Sequence, residues 1–466
     1  LKRSSRPGFN DALAQASDAK ESAQARRTVI PAYRYHIEMG LLVLKGITGS
    51  RRITTKKKDE AMKLKTLLTA SAIGALMMTQ ASAGTLVINS NQSDPAPKAA
   101  WGEIIADFEA ANPDIEVRLN EYDHEGYKSA IRNWLVTSPP DVVFWFAGNR
   151  MKYFVDRGLF EPVSDVWTDN NMSSSFGSTR ASMSVEGEQY GVPATYYQWG
   201  IYYNADIFNE LGLGEPQTWD EFMTVNQTLK DNGYTPITIG TKFLWTAAGW
   251  FDYLNLRTNG LDFHIDLMDG RIPYTDDRVR ATFENWRQLI DGGYFLENHA
   301  SYSWQEAQAP LLNGEAGMYL MGNFLTPSFP EGSNFDFFQF PQIDPSVGMY
   351  EDAPTDTVHI PARATNKADA KRFLAYVAQA DVQTKLNLGL NQLPPNAMAE
   401  AGDNTFLQQG LNMLSSADGT AQFYDRDTDP AMASEGMKGF QEFMVNPDRL
   451  DAILTNLERV RQRVFR

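Results

Sequence analysis

From residue 84 onward the apolar residues fall into short runs whose period switches between that of a strand and that of a helix. Thr85-Leu86-Val87-Ile88-Asn89 reads as a short buried strand. Trp101, Ile104, Ile105 and Phe108 then recur at i, i+3, i+4 and i+7, one face of an amphipathic helix, which Asn112-Pro113 stops. Ile115, Val117 and Leu119 alternate as a strand, and Tyr127, Ile131, Trp134 and Leu135 mark a helix ended by Pro139-Pro140. Asp141 to Phe146 is a continuous apolar run of strand length. Strand, helix, strand, helix, strand predicts right-handed crossovers and a parallel sheet covered on both faces. Ligands of such sheets sit beyond the carboxyl ends of the strands. Here those ends are Asn89–Asp94, Asn120–Asp123 and Trp145–Arg150.

The stretch from Tyr190 to Phe222 follows. Gly191 and Pro193 interrupt a strand-like run, five tyrosines fall close together, and a short helix stops at glycines. Thr218 with Glu221 three residues on is a capping box that starts a longer helix firmly. Beyond it, the pattern predicts a strand at Tyr234–Gly240 and a helix over Thr246–Thr258. Val279, Phe283, Trp286 and Ile290 make another helical face, and Ser303 with Glu306 a second capping box. Strands are expected at Glu315–Gly322, Phe335–Ile343 and Asp356–Ile360, and a helix at Asn366–Asn387. A Pro/Asn-rich loop, Leu388–Gly402, precedes helices at Asn404–Ser416, Met432–Val445 and the C-terminus.

Composition changes the picture before residue 84. The whole chain of 466 residues carries 42 Lys+Arg against 58 Asp+Glu, a net charge of −16. Basic clusters lie early (Arg26-Arg27, Arg51-Arg52, Lys56-Lys57-Lys58), so the remainder is more acidic still. Met62-Lys63-Leu64-Lys65, the apolar run Leu67–Met78 and Ala81-Ser82-Ala83 have the three parts of a secretory signal peptide. That reading makes 62–83 the signal, Gly84 the first mature residue, and 1–61 an extension upstream of the true start. The chain has no cysteine, which removes disulfides, thiolate metal sites, a cysteine nucleophile and the lipid anchor of a lipoprotein. A Gram-negative periplasm is the expected compartment. An acidic field of this size repels nucleic acid and anionic lipid.

The motif Tyr202-Tyr203-Asn204-Ala205-Asp206-Ile207-Phe208, followed by Leu211-Gly212-Leu213 and Pro216-Gln217-Thr218-Trp219-Asp220-Glu221-Phe222, resembles the extracellular solute-binding proteins of ABC importers, in their carbohydrate-binding group. Three further segments resemble that family in the same order: Pro140–Trp145, Gly314–Phe324 and Asn366–Phe373. Phe324 stands where the family usually has tryptophan, and Gly317 where it usually has alanine. The resemblance implies an α/β fold of the two-lobe periplasmic-binding-protein type (type II-like), crossed three times by the chain. The crossings are expected near Pro193–Tyr196, Ile360–Ala364 and Ala417–Tyr424. The first lobe would be 84–194 plus 362–416, and the second 195–359 plus 423–466. It also implies a small carbohydrate ligand, an ABC permease as partner, a monomer, hinge closure on the ligand, no cofactor and no catalysis.

A site for sugars needs flat aromatics for the ring face and Asp, Asn, Gln, His or Arg for the hydroxyls. The candidates are Asn91, Gln92, Asp94, Trp145, Asn149 and Arg150 from the first lobe. From the second come Tyr197, Gln198, Trp245, Trp250, Asn323 and Phe324, with Asp356 and His359 before the second crossing and Asp425 and Arg426 after the third. The resemblance favours Trp250 over Trp245 as a ligand wall, and Asp356 as a hydroxyl-binding carboxylate. Trp101, Trp134 and Trp286 lie in helical apolar stripes and read as core. Asp425-x-Asp427-x-Asp429 fails as a calcium loop, because Pro430 and Gly436 occupy the positions that need glycine and glutamate. The five histidines have no metal spacing. Two rivals share this inventory: a secreted glycoside hydrolase with paired carboxylates and a binder of cationic solutes such as polyamines.

Overall fold

The computed structural model describes residues 84–466, so the expected signal peptide and upstream extension lie outside the described residues. Two sheets organise these residues. The first has five strands in the spatial order Ile115–Glu121, Gly84–Ser90, Val142–Phe146, Thr355–His359, Val192–Tyr196. The first three are mutually parallel, as the alternation of strand and helix predicted, and Thr355–His359 runs antiparallel to both its neighbours. All five residues of Val142–Phe146 are buried, which is why that segment reads as an unbroken apolar run. The second sheet has the order Phe335–Phe338, Trp199–Asn204, Ala316–Gly322, Thr235–Ile237.

Each sheet carries its own hydrophobic core. The first gathers Leu86, Ile88, Trp101, Phe108, Ile131 and Phe373, and the second Tyr202, Phe222, Trp250, Phe283, Trp286 and Phe440. This is the two-lobe α/β architecture. The Thr218 capping box is formed: Glu221 N donates to Thr218 Oγ1 at 3.3 Å, and Glu221 Oε2 accepts from Thr218 N at 3.0 Å. At Ser303 and Glu306 the same reciprocal bonds form, but they close a turn, and the helix proper is the short segment Gln308–Leu312.

The chain passes between the sheets through Tyr197–Gln198, the two residues separating Val192–Tyr196 from Trp199–Asn204. The other two crossings depart from expectation. Thr355–His359 pairs inside the first sheet, so the second crossing lies at Ala353–Pro354, ahead of the strand rather than behind it. The third lies between residues 399 and 405. Ala397 N still bonds Ser175 O in the first lobe, whereas Phe406 packs on Tyr202 at 6.0 Å and Met413 belongs to the second core. Thr405–Ser416 is thus a helix of the second lobe, not the first. In both cases the residue pattern specifies an element, and only the non-local packing specifies its lobe.

Asn366–Asn387 is likewise two helices, Lys367–Val377 and Ala380–Leu390, with the second ended by Asn391 at φ 52°. Most of the second lobe is packed around Trp245–Asn259, a helix buried on every side from Thr246 to Arg257. Among the described residues no helix is long and apolar enough to cross a membrane.

Candidate functional site

A cavity of about 370 Å³ opens between the lobes. The loop after Gly84–Ser90 brings Asn91, Gln92 and Asp94 to it, the His124–Thr137 helix His124 and Lys128, and the end of Val142–Phe146 brings Phe146 and Arg150. These are the carboxyl ends of three parallel strands. Asp356 enters from Thr355–His359. The second lobe faces them with Tyr197, Trp199, Trp245, Trp304, Phe324 and Phe423, and with Asp425 and Arg426.

The aromatic wall is held by edge-on contacts. Trp304 meets Phe324 at 5.2 Å and 85°, Tyr197 meets Phe324 at 5.2 Å and 89°, and Trp199 meets Trp245 at 6.0 Å and 90°. Such geometry sets the positive edge of one ring against the negative face of the next, so the wall is rigid before any ligand arrives.

The polar floor is built from ion pairs. Arg426 Nη1 lies 3.0 Å from Asp356 Oδ1, Nη2 donates to Tyr197 Oη at 3.0 Å, and Nη1 donates to Thr355 O at 3.1 Å. Arg150 pairs with Asp425. The Phe146 ring lies under both guanidinium groups, 4.9 Å from that of Arg150 and 4.3 Å from that of Arg426. Lys128 is paired with Glu125 at 3.1 Å. Burial raises the Asp356 carboxyl above its ordinary range, partly offset by Arg426. Burial likewise raises Asp94, against the lowering influence of the Gln305 side chain. His124 is pushed well below its usual value, first by burial and then by Lys128 and the two arginines. Its imidazole is therefore neutral, a hydrogen-bonding group rather than a charge.

The approach of the lobes requires glycine at one point. Gly148 has φ 68°, and a Cβ there would stand 2.9 Å from the Arg426 carbonyl oxygen. The next residue, Asn149, donates to Asp427 O at 2.7 Å, and the one after is Arg150. Gly148-Asn149-Arg150 is thus an inter-lobe clasp.

Ten of the candidate residues line the cavity: Asn91, Gln92, Asp94, Arg150, Tyr197, Trp245, Phe324, Asp356, Asp425 and Arg426. Six do not. Trp145 is buried beneath the site, its Nε1 donating to Arg150 O at 3.1 Å, and Asn149 is spent on Asp427. Gln198 is fully buried and donates to Phe406 O at 3.1 Å. Asn323 accepts from Tyr202 Oη at 2.9 Å and donates to Asn391 O. His359 is stacked on Phe160 at 4.5 Å, its Nδ1 2.6 Å from Tyr190 O, and burial depresses its imidazole to about 4. Trp250 is wedged edge-on between Phe295 at 5.1 Å and Phe340 at 5.7 Å, in the second core. The tryptophan of this helix that faces the cavity is Trp245, at its first residue.

Sequence reasoning missed His124, Lys128, Phe146, Trp199, Trp304 and Phe423, all of which line the cavity. A signal existed for Phe146, because successive strand residues face opposite sides and Trp145 and Phe146 cannot both serve the core in the same way.

Two acids, Asp252 buried and Asp427 half-buried, hold the segment that carries Asp425 and Arg426. Asp252 Oδ2 accepts from Tyr424 N at 2.8 Å, and Asp427 Oδ2 from Gln422 N at 2.9 Å. Burial raises both carboxyls, Asp427 to about 7. In the unfolded chain an aspartate ionises near its ordinary value of about 4, so the unfolded state sheds this proton first. The contribution of Asp427 to stability is full below about pH 4, declines as pH rises through about 7 and is flat above. Unfolding temperatures measured from pH 4 to pH 8 are expected to show this decline, and Asp427→Asn to reduce it. An unchanged pH profile in the variant would refute the assignment.

The family described as bacterial extracellular solute-binding protein matches residues 92–384. An uncharacterised ABC transporter extracellular-binding protein of Pyrococcus horikoshii is 26% identical over 330 residues, 69% of this chain and 74% of that one. The multiple sugar-binding protein of Streptococcus mutans is 25% identical over 296 residues, 62% of this chain and 70% of that one. Among solved structures, the bacterial solute receptor AcbH, reported to have an exclusive substrate preference for β-D-galactopyranose, superposes with a TM-score of 0.78 at 30% identity. The match covers 82% of this chain and 100% of that one. RafE in complex with raffinose superposes at 0.70 with 19% identity, over 82% and 100%, a likeness of fold.

Proposed function

Because the chain belongs to the bacterial extracellular solute-binding protein family, we propose that it is the periplasmic receptor of an ABC importer, and that its cavity takes a small neutral carbohydrate. The observation that carries this reading is the pairing of a rigid aromatic wall with a polar floor whose charges cancel locally. Arg150 with Asp425, Arg426 with Asp356 and Lys128 with Glu125 leave little net charge to attract an ion. Yet they keep many hydrogen-bonding atoms in place for hydroxyl groups. A sugar acid would leave its carboxylate without a free cation, and a polyamine would find most of the cleft carboxylates already taken. The sugar-binding relatives and the galactopyranose receptor support the same ligand class.

In this reading the signal at 62–83 directs the chain across the inner membrane, and it works as a monomer. The solute first meets the aromatic wall of the second lobe, and hinge rotation brings the polar first lobe over its hydroxyls. The closed state is favoured in proportion to the contacts it adds. Closure presents both lobe surfaces to the permease, and no bond is made or broken.

Calorimetric titration of the purified chain with neutral mono- and disaccharides, a sugar acid and spermidine tests the proposal. Saturable heat with a neutral sugar and none with the charged solutes is expected. Binding of spermidine alone, or steady hydrolysis of chromogenic glycosides, would overturn it.

A further inference from the structure

The cavity between the lobes shares a wall with a second, smaller one. The second, of about 120 Å³, lies between the Asn149–Val155 helix of the first lobe and the Pro430–Val445 helix of the second. Arg150 and Asp425 are the two residues common to both linings, so their ion pair stands between the cavities. The pair also joins the lobes, because Asp425 belongs to the Tyr424–Asp427 turn, whose Tyr424 is rooted in the second core. Its side chains are 16% and 8% exposed. The Arg150 guanidinium lies over Trp145 and over Phe146, 4.9 Å from each ring, which holds it in place. Behind it the smaller cavity repeats the character of the larger. Trp145, Tyr153 and Met437 supply apolar surface, and Arg132 and Ser434 supply polar groups.

We propose that the Arg150–Asp425 pair is the end wall that limits the length of the bound saccharide, and that the cavity behind it is a latent subsite for one further sugar ring. This rests on the carbohydrate reading above. A cavity of about 370 Å³ is at the small end of ligand sites, so a ligand lengthened toward Arg150 must displace the pair. Neutral hydroxyls do so poorly, because separating two largely buried charges strands both of them. Removing both side chains deletes the wall without stranding either charge and joins the two spaces.

The test is calorimetric titration with D-galactose and D-glucose, with lactose and maltose, and with raffinose and maltotriose. The proteins are the wild type, Arg150→Lys, and the double variant Arg150→Ala/Asp425→Ala. The quantity read is the ratio of trisaccharide Kd to the lower of the mono- and disaccharide values, which a merely structural role would not move. In the wild type the ratio is expected to be at least tenfold. In the double variant it falls by tenfold or more, whatever happens to the absolute affinities, and Arg150→Lys, which can keep the ion pair, retains the wild-type ratio. Should the double variant fail to fold by circular dichroism, Arg150→Gln/Asp425→Asn removes both charges together with a smaller change in volume, and the ratio is expected to fall in the same direction. Equal affinity of the wild type for all lengths, or an unchanged ratio in a folded wall-less variant, overturns the length limit while leaving the carbohydrate reading intact. A folded wild type that binds no saccharide of any length overturns both.

Discussion

Trp250→Ala is expected to lower the folding stability of the chain by about 3–5 kcal/mol, the usual cost of emptying a large aromatic site in a packed core. The ring is 1% exposed and is gripped edge-on by Phe295 and Phe340, so little can collapse into the space it leaves. Trp245→Ala should behave in the opposite way. Its ring is only partly buried and faces the cavity, so stability changes modestly while sugar affinity falls by about 1–3 kcal/mol, in the range of a binding hot spot. Urea unfolding and calorimetry on the same two proteins separate the effects. A stable Trp250 variant that has lost affinity, beside a Trp245 variant that has not, would reverse the assignment of the two tryptophans.

The second large effect is expected at Arg257. Its side chain is 1% exposed and pairs with Glu351, which is fully buried. It also donates to Phe340 O at 3.0 Å and to Tyr350 O. Glu351 in turn accepts from Tyr253 Oη and from Gln339 Nε2, each at 2.9 Å. Arg257→Ala leaves that carboxylate buried without its cation, a change that destabilises by about 3–5 kcal/mol. Replacing the pair together, as Arg257→Met with Glu351→Leu, should recover much of the loss, since the desolvation penalty then disappears with both charges. If the single variant unfolds at the same urea concentration as the wild type, the pair does not brace this lobe. The location gives the pair its importance: Glu351 sits in Tyr350–Asp352, just before the chain crosses to the first lobe.

Much of the architecture is written in local pattern. The alternation of strand and helix through Phe146 predicts three parallel strands, and their carboxyl ends do supply Asn91, Asp94, Phe146 and Arg150 to the cavity. The capping boxes at Thr218 and Ser303 are equally local, and both form. What the pattern does not carry is partnership. Thr355–His359 reads as a strand from its residues alone, but its place depends on Val142–Phe146 and Val192–Tyr196, far away in sequence. The same limit separates Trp245 from Trp250. Both are tryptophans in one helix, and only the packing of Phe295 and Phe340 on the second decides which is core. Trp199 and Phe423 escaped notice for a related reason: each touches the other at 5.0 Å across more than two hundred residues.

The position of Thr355–His359 also sets a schedule for the nascent chain. This strand lies between two others of its sheet, one contributed near residue 142 and the other near residue 192. A ribosome-bound fragment that ends before it has a gap in the middle of the first sheet, with unpaired backbone groups on both sides. Assembly of that half must wait until more than two-thirds of the polypeptide has been made, because loop closure over such a separation comes late. A chain threaded through a membrane before folding meets no obstacle in that delay, whereas one expressed in bulk in a cytosol would expose those open edges to its neighbours.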